Sequence, residues 1–224
     1  MKIKITYFLA LFVLIISSCK KDSSNYSETI KKGNKWGLSI GSTPEMVYAQ
    51  LQKLNQEKDI HSVSVVYRQS YTKPEELKNK LPFYNALTLE KASGQTDRIV
   101  IEFKEDKVSS IYTGGGLLNE VKEWPQNLPD DVTIHQNDLV ATMYNKLVAI
   151  YQVNDYNQYK LTLPDKILTK AFDADMANYK EWAFEFAKNV GANVSGRSSV
   201  RLLFENGKLN KILHQYQENE FVID

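Results

Sequence analysis

The side chains best suited to chemistry near neutral pH are three histidines and a single cysteine. His61, His135 and His214 lie in separate segments with no H-x-x-x-H or H-x-x-E spacing, so neither a zinc site nor a catalytic role is expected of them. Asp173-Ala-Asp175 has the outline of a cation loop but lacks the glycine and distal glutamate that a calcium loop needs. It precedes an apolar-periodic stretch and is expected to cap it. Asp130-Asp131 reads as a solvated loop pair. Gly114-Gly115-Gly116 is followed by no Lys-Ser/Thr, so it is no phosphate cradle, and there is no G-x-S-x-G. No metal and no cofactor is expected, no catalytic residue can be nominated, and nothing in these spacings argues for an enzyme.

The cysteine has a definite setting. Met1-Lys-Ile-Lys is a positive n-region, and Tyr7 through Ile16 is an apolar run too short for a comfortable membrane span. Ile16-Ser17-Ser18-Cys19 then resembles a bacterial lipobox, with a branched apolar residue at −3, small residues at −2 and −1, and cysteine at +1. That resemblance implies cleavage after residue 18, diacylglycerol on the Cys19 thiol and acylation, for example by palmitate, of the new amine. Cys19 is thus the expected lipid attachment, and the mature chain keeps no thiol for a disulfide, a metal or a nucleophile. Lys20, rather than Asp, after the cysteine favours the outer membrane by analogy with lipoprotein sorting. The expected location is the bacterial cell envelope, with the leaflet open. Lys and Arg number 28 against 27 Asp and Glu, so a nucleic-acid partner has no electrostatic support. Losing Lys2 and Lys4 with the leader takes the 28 to 26, a mature charge near −1.

The elements that would position any surface are organised around two similar stretches, Ile99 to Ile111 and Val200 to Ile212. Each alternates apolar residues, reaches Phe, turns on two polar residues and resumes at Lys. The second turns on Asn206-Gly207, a strong hairpin signal. Upstream, Ser42 with Pro44 and Glu45 is expected to open a helix carrying Val47, Leu51 and Leu54 on one stripe. At an offset of 96, Leu38, Tyr48 and Leu51 meet Ile134, Tyr144 and Leu147. A short helix is expected over 73–81, strands over 60–67, 83–90 and 159–163, and a longer helix over Asp175 to Val190. Residues 1–18 are then a signal peptide, 19–35 a flexible tether, 36–113 a first repeat, 114–131 a linker and 132–224 a second repeat. The expected fold class is α+β: two similar repeats, each with a capped N-terminal helix, a further short helix and an antiparallel meander ending in a tight hairpin.

That tandem order behind a lipobox resembles the beta-lactamase-inhibitor-protein-like architecture, shared with small outer-membrane lipoproteins of the SmpA/OmlA type. Leu38-Ser-Ile-Gly-Ser-Thr-Pro-Glu-Met-Val is similar to the Gly-[Met/Ser]-Thr-x-x-x-Val start of such repeats, whereas Gln136-Asn-Asp-Leu-Val lacks the Gly and Thr. The resemblance covers residues 36 to 224 and implies a concave sheet face that grips a partner protein. With two-residue hairpin turns, Phe103 opposes Val108, Ile101 opposes Ser110 and Leu202 opposes Lys211. The opposite face then carries Val100, Glu102, Ser109, Ile111, Arg201, Leu203, Asn210, Ile212 and His214, a mixture too apolar for plain solvated sheet. The expected function is a membrane-anchored envelope lipoprotein that binds a partner protein through this face. A small-ligand or glycan binder using the 13 Tyr and 3 Trp is the alternative, and a hydrolase without a recognisable motif stands behind it.

Overall fold

Both hairpins form, and their turns explain much of the rest. The computed structural model describes residues 25–91 and 97–220; residues 1–24, with the expected signal peptide and Cys19, and residues 92–96 and 221–224 lie outside the described residues. In chain order the first elements are β1 (Tyr26–Ile30), β2 (Asn34–Lys35), β3 (Leu38–Ser39), helix α1 (Pro44–Lys58) and β4 (Ser62–Val65). Then come β5 (Ala86–Lys91), β6 (Arg98–Lys104), β7 (Lys107–Gly114), β8 (Asn119–Val121), β9 (Glu123–Trp124) and β10 (Ile134–His135). Helix α2 (Val140–Tyr151) leads to β11 (Tyr159–Thr162), β12 (Lys166–Ile167), β13 (Glu181–Gly191), β14 (Val194–Glu205) and β15 (Lys208–Glu220).

The β6–β7 turn places Glu105 and Asp106 at φ 51° and 58°, and the β14–β15 turn places Asn206 and Gly207 at 51° and 70°. Positive φ at both central residues is the geometry whose twist suits a two-residue hairpin. Just past each turn the register slips by one residue, so Ile101 faces Ile111 rather than Ser110, and Leu202 faces Ile212 rather than Lys211. Ser109 and Asn210 are the extra residues of two β-bulges. Beside each bulge a backbone amide bonds outside the ladder. Val108 donates to the Asp138 carbonyl and Leu209 to the Ser42 carbonyl, both at 2.8 Å.

These two bonds decide which helix goes where. Ser42 leads into α1, so α1 docks on the β13–β14–β15 sheet, and Asp138 leads into α2, so α2 sits with β5–β6–β7. One core joins Val47, Tyr48, Leu51 and Leu54 of α1 to Trp182, Val200, Leu202 and Ile212. The other joins Met143, Leu147 and Ile150 of α2 to Leu87, Ile99, Ile101 and Ile111. The second core draws only on Tyr71 to Leu163, a continuous insert inside the first. Where the chain enters and leaves the insert, Tyr71 and Leu161 exchange two backbone bonds of 2.8 Å.

The expected fold is therefore corrected. The protein is mostly β, built on a six-stranded sheet ordered β1-β15-β14-β13-β4-β12 and a five-stranded sheet ordered β11-β5-β6-β7-β8. Among the described residues there are two α-helices, and neither packs on the hairpin of its own half. The stretch expected as a helix at 175–190 is a 3-10 turn followed by β13. There Trp182, Phe184 and Phe186 point inward with a period of two, which competes with the helical spacing of Tyr179, Trp182, Phe186 and Val190. The 73–81 helix is reduced to 3-10 turns at Pro74–Leu77 and Leu81–Phe83. Residues 26–35, expected as tether, contribute β1 and β2, and the 114–131 linker contributes β8 and β9. Helix α1 is capped by Thr43, whose hydroxyl accepts from the Met46 amide at 3.4 Å. At α2 the cap position is Leu139, with no side-chain bond.

Candidate functional site

Strand alternation builds the outward face of the six-stranded sheet. Ser198, Val200, Leu202 and Phe204 of β14 turn into the core, which leaves Arg197, Ser199, Arg201 and Leu203 outside. Register places Arg201 between Ala183 and Leu213, and Leu203 between Glu181 and Lys211. Arg201 Nε donates to Glu181, while Glu185 accepts from Arg197 and, at 2.8 Å, from the Ser199 hydroxyl. Those donors, Arg197 first, hold the Glu185 carboxyl below its ordinary value. Paired charges and half-buried aliphatics thus alternate across the face.

At the Asn206–Gly207 end this face opens into a groove of about 860 Å³, bounded by the hairpin turn, the end of β4 and the turn before β13. Val66, Tyr67, Tyr179, Leu203, Asn210 and Lys211 line it. Tyr67 is 77% exposed, in the left-handed backbone region at φ 64°. A bulky residue held at positive φ with its ring in solvent is a local cost that packing does not repay.

Of the nine residues expected on one face, the structure keeps Arg201 and Leu203 outward beside this groove, with Asn210 on the bulge that borders it. Val100 and Glu102 also point outward, but on the five-stranded sheet, with Ser109 on the equivalent bulge. Ile111, Ile212 and His214 are corrected: they are 0%, 0% and 2% exposed and face the cores. The bulges are the reason, because one extra residue moves every later side chain of β7 and β15 to the other face. Tyr67 and Tyr179 were not legible in the sequence. Periodicity reads Tyr67 as the end of a strand and Tyr179 as part of a helical stripe, whereas each sits just outside a strand.

His214 stands in a setting no sequence spacing announced. Its Nδ1 lies 2.8 Å from Glu28 Oε1 on β1, and its Nε2 lies 3.1 Å from Ser198 Oγ on β14. Those are the distances of a nucleophile, base and orienting acid. The surroundings are wrong for that chemistry. Ser198 is buried, and β14 is bonded to a neighbour on both sides, which commits the strand amides around Ser198 and leaves it no oxyanion hole. The Trp36 ring covers the imidazole edge-on at 4.9 Å. Trp36 itself is at φ 53° in a tight turn with Gly37, where a Cβ would approach Gln50 Nε2 to 2.5 Å. The constellation instead fastens β1 to the sheet. Glu28 also accepts from Lys35, and the bonds from His214 and then Lys35 hold its carboxyl below the ordinary range.

Among the described residues no three His, Cys, Asp or Glu side chains gather as a cation site, and no helix is long and apolar enough to cross a membrane. No protein-family model matches the sequence, and neither a curated protein nor a solved structure matches it.

Proposed function

We propose that this chain is a lipid-anchored protein of the bacterial cell envelope, held through Cys19, that works by binding a partner protein. The observation that carries the reading is the groove at the end of the six-stranded sheet, where an exposed Tyr67 ring stands with Tyr179 and Leu203 beside the Arg201–Glu181 pair. Tyrosine and arginine around a small aliphatic patch is the composition of an interface centre, where a few residues hold most of the affinity. Anchoring supplies the rest by confining the protein and any membrane-associated partner to one surface. The outer membrane is the favoured membrane because Lys20 follows the cysteine.

The test is a photo-crosslinking amino acid at Tyr67 in intact cells. A discrete protein adduct is expected, lost when Leu203→Asp is added and absent when the crosslinker is placed at Met46, which is exposed on α1. An adduct that persists with Leu203→Asp, or one equally formed from position 46, would remove the groove from the reading. A Cys19→Ser chain that is still processed and membrane-bound would remove the anchor.

A further inference from the structure

A second recess lies on the other sheet, at the end of the β6–β7 hairpin away from its turn. It encloses about 320 Å³, at the small end of ligand sites. Three aromatic residues form part of its wall. Tyr156 and Tyr159 are near parallel at 6.3 Å, and Trp124 stands edge-on to them at 5.5 and 5.9 Å. Trp124 is fixed by its pairing with Ile134 in the β9–β10 ribbon, and Tyr159 by its pairing with Lys91 on β5. Both are almost fully buried, whereas Tyr156, on the turn after α2, is half-buried and leaves part of its ring accessible.

The polar groups of the recess divide into two kinds. Its charged groups already have partners: Asp97 binds Lys91 at 2.8 Å, Arg98 binds Glu90 at 3.2 Å and Glu123 binds His135 at 3.3 Å. Among the neutral groups the Tyr159 hydroxyl pairs with Lys91, whereas the Thr113 hydroxyl and the exposed Gln126 and Asn127 amides make no side-chain hydrogen bond among the described residues. An anion entering here would meet two carboxylates, and a cation would compete with Lys91 and Arg98. The unmatched capacity is for neutral donors and acceptors beside aromatic carbon.

We propose that this recess binds a neutral, hydroxyl-rich ligand, the sugar ring of a glycan, with its C–H face toward Tyr156 and its hydroxyls on Gln126, Asn127 and Thr113. Amides that both donate and accept suit adjacent hydroxyls, and aromatic rings suit the apolar face of a pyranose. The site shares no residue with the Tyr67 groove and stands whether or not the protein-binding reading holds.

The full-length chain in a non-glycosidic detergent would be titrated with maltotriose, cellobiose and N,N′-diacetylchitobiose, following saturation transfer to the sugar protons by NMR. Transfer to at least one of the three is expected. Tyr156→Ala should weaken that binding roughly tenfold, as loss of a central aromatic contact does. Gln126→Glu with Asn127→Asp, on exposed turn positions that do not carry the fold, should weaken it as well. Tyr67→Ala should leave it unchanged. No transfer with any of the three sugars overturns the proposal. So does binding that both the Tyr156 and the Gln126/Asn127 variants leave untouched, or tighter binding of glucose 6-phosphate than of maltotriose.

Discussion

Lys166 is fully buried, with its ammonium 5.4 Å from the Tyr48 ring and 5.6 Å from that of Tyr84, and, among the described residues, a single carbonyl acceptor, its neighbour Ile167, at 3.3 Å. Tyr48 belongs to the outer core and Tyr84 to the insert, so this lysine is wedged at their junction. Around it, Tyr84 donates to Asp173 at 2.8 Å and accepts from Arg68 at 2.7 Å. Burial dominates the nearby Asp173 charge and pushes the amine down from 10.5 to about 8. Between those two values the unfolded chain holds the proton that the folded chain has released, so stability should climb as pH rises from 8 to 10.5. Below 8 the full cost of the buried charge is present. Lys166→Met, which keeps the volume and drops the charge, should therefore stabilise the protein at pH 7 by roughly 1–3 kcal/mol. Urea unfolding at pH 7 and pH 10 checks it: the rise seen in the parent should be missing in the variant. An equal rise in both would remove Lys166 as the cause.

The exchange of helices between the two halves makes its own prediction at the level of elements. The insert has a complete core from Tyr71 to Leu163, its own helix, a five-stranded sheet and the β9–β10 ribbon, and ends clamped by the Tyr71–Leu161 bonds. Residues 69–164 should fold alone, with a cooperative thermal transition and dispersed amide signals. Residues 36–113, the unit expected from sequence order, should not, because α1 would have no β13–β15 sheet to cover it. A cooperative transition from 36–113 would contradict the exchange. Both hairpins were legible because turn residues and alternation are local, and the stripe of α1 was legible for the same reason. The partner of each helix was not. Val47, Leu51 and Leu54 offer a surface much like Met143, Leu147 and Ile150, and either would cover an aliphatic sheet. The deciding contacts are backbone bonds from Val108 and Leu209 at the bulges, and those carry no side-chain signature. The same bulges hid the inward turn of Ile111, Ile212 and His214. Arg201 and Leu203 were readable because they precede the slip in register.

On the scale of the whole molecule, the first described residues and the groove lie at opposite ends of one strand, β15. Tyr26 pairs with Tyr216 near the end of β15, and the Asn25 side chain accepts from the Glu218 amide, so the chain approaches from that end. The Asn206–Gly207 turn and the groove lie at the start of β15, eight residues before Tyr216 from Lys208, or roughly 27 Å at strand rise. Only Lys20 to Asn25 separate Cys19 from β1, and six residues extend to about 20 Å at most. With Cys19 acylated, the tether would keep the Tyr26 end within about 20 Å of the headgroups, where an exposed tyrosine is at home and Lys20 and Lys21 would meet anionic lipid. Contact of that end with the bilayer would point the groove away from it, toward a partner protein. Cys19 is the only cysteine in the sequence and the proposed acylation would consume its thiol, so a single new cysteine would label one place. Nitroxides at Tyr26→Cys and Asn206→Cys, in the lipidated protein on vesicles containing phosphatidylglycerol, should differ. The first should be relaxed by a membrane-bound agent and shielded from an aqueous one, and the second should show the reverse. Equal accessibility at the two positions would overturn this orientation.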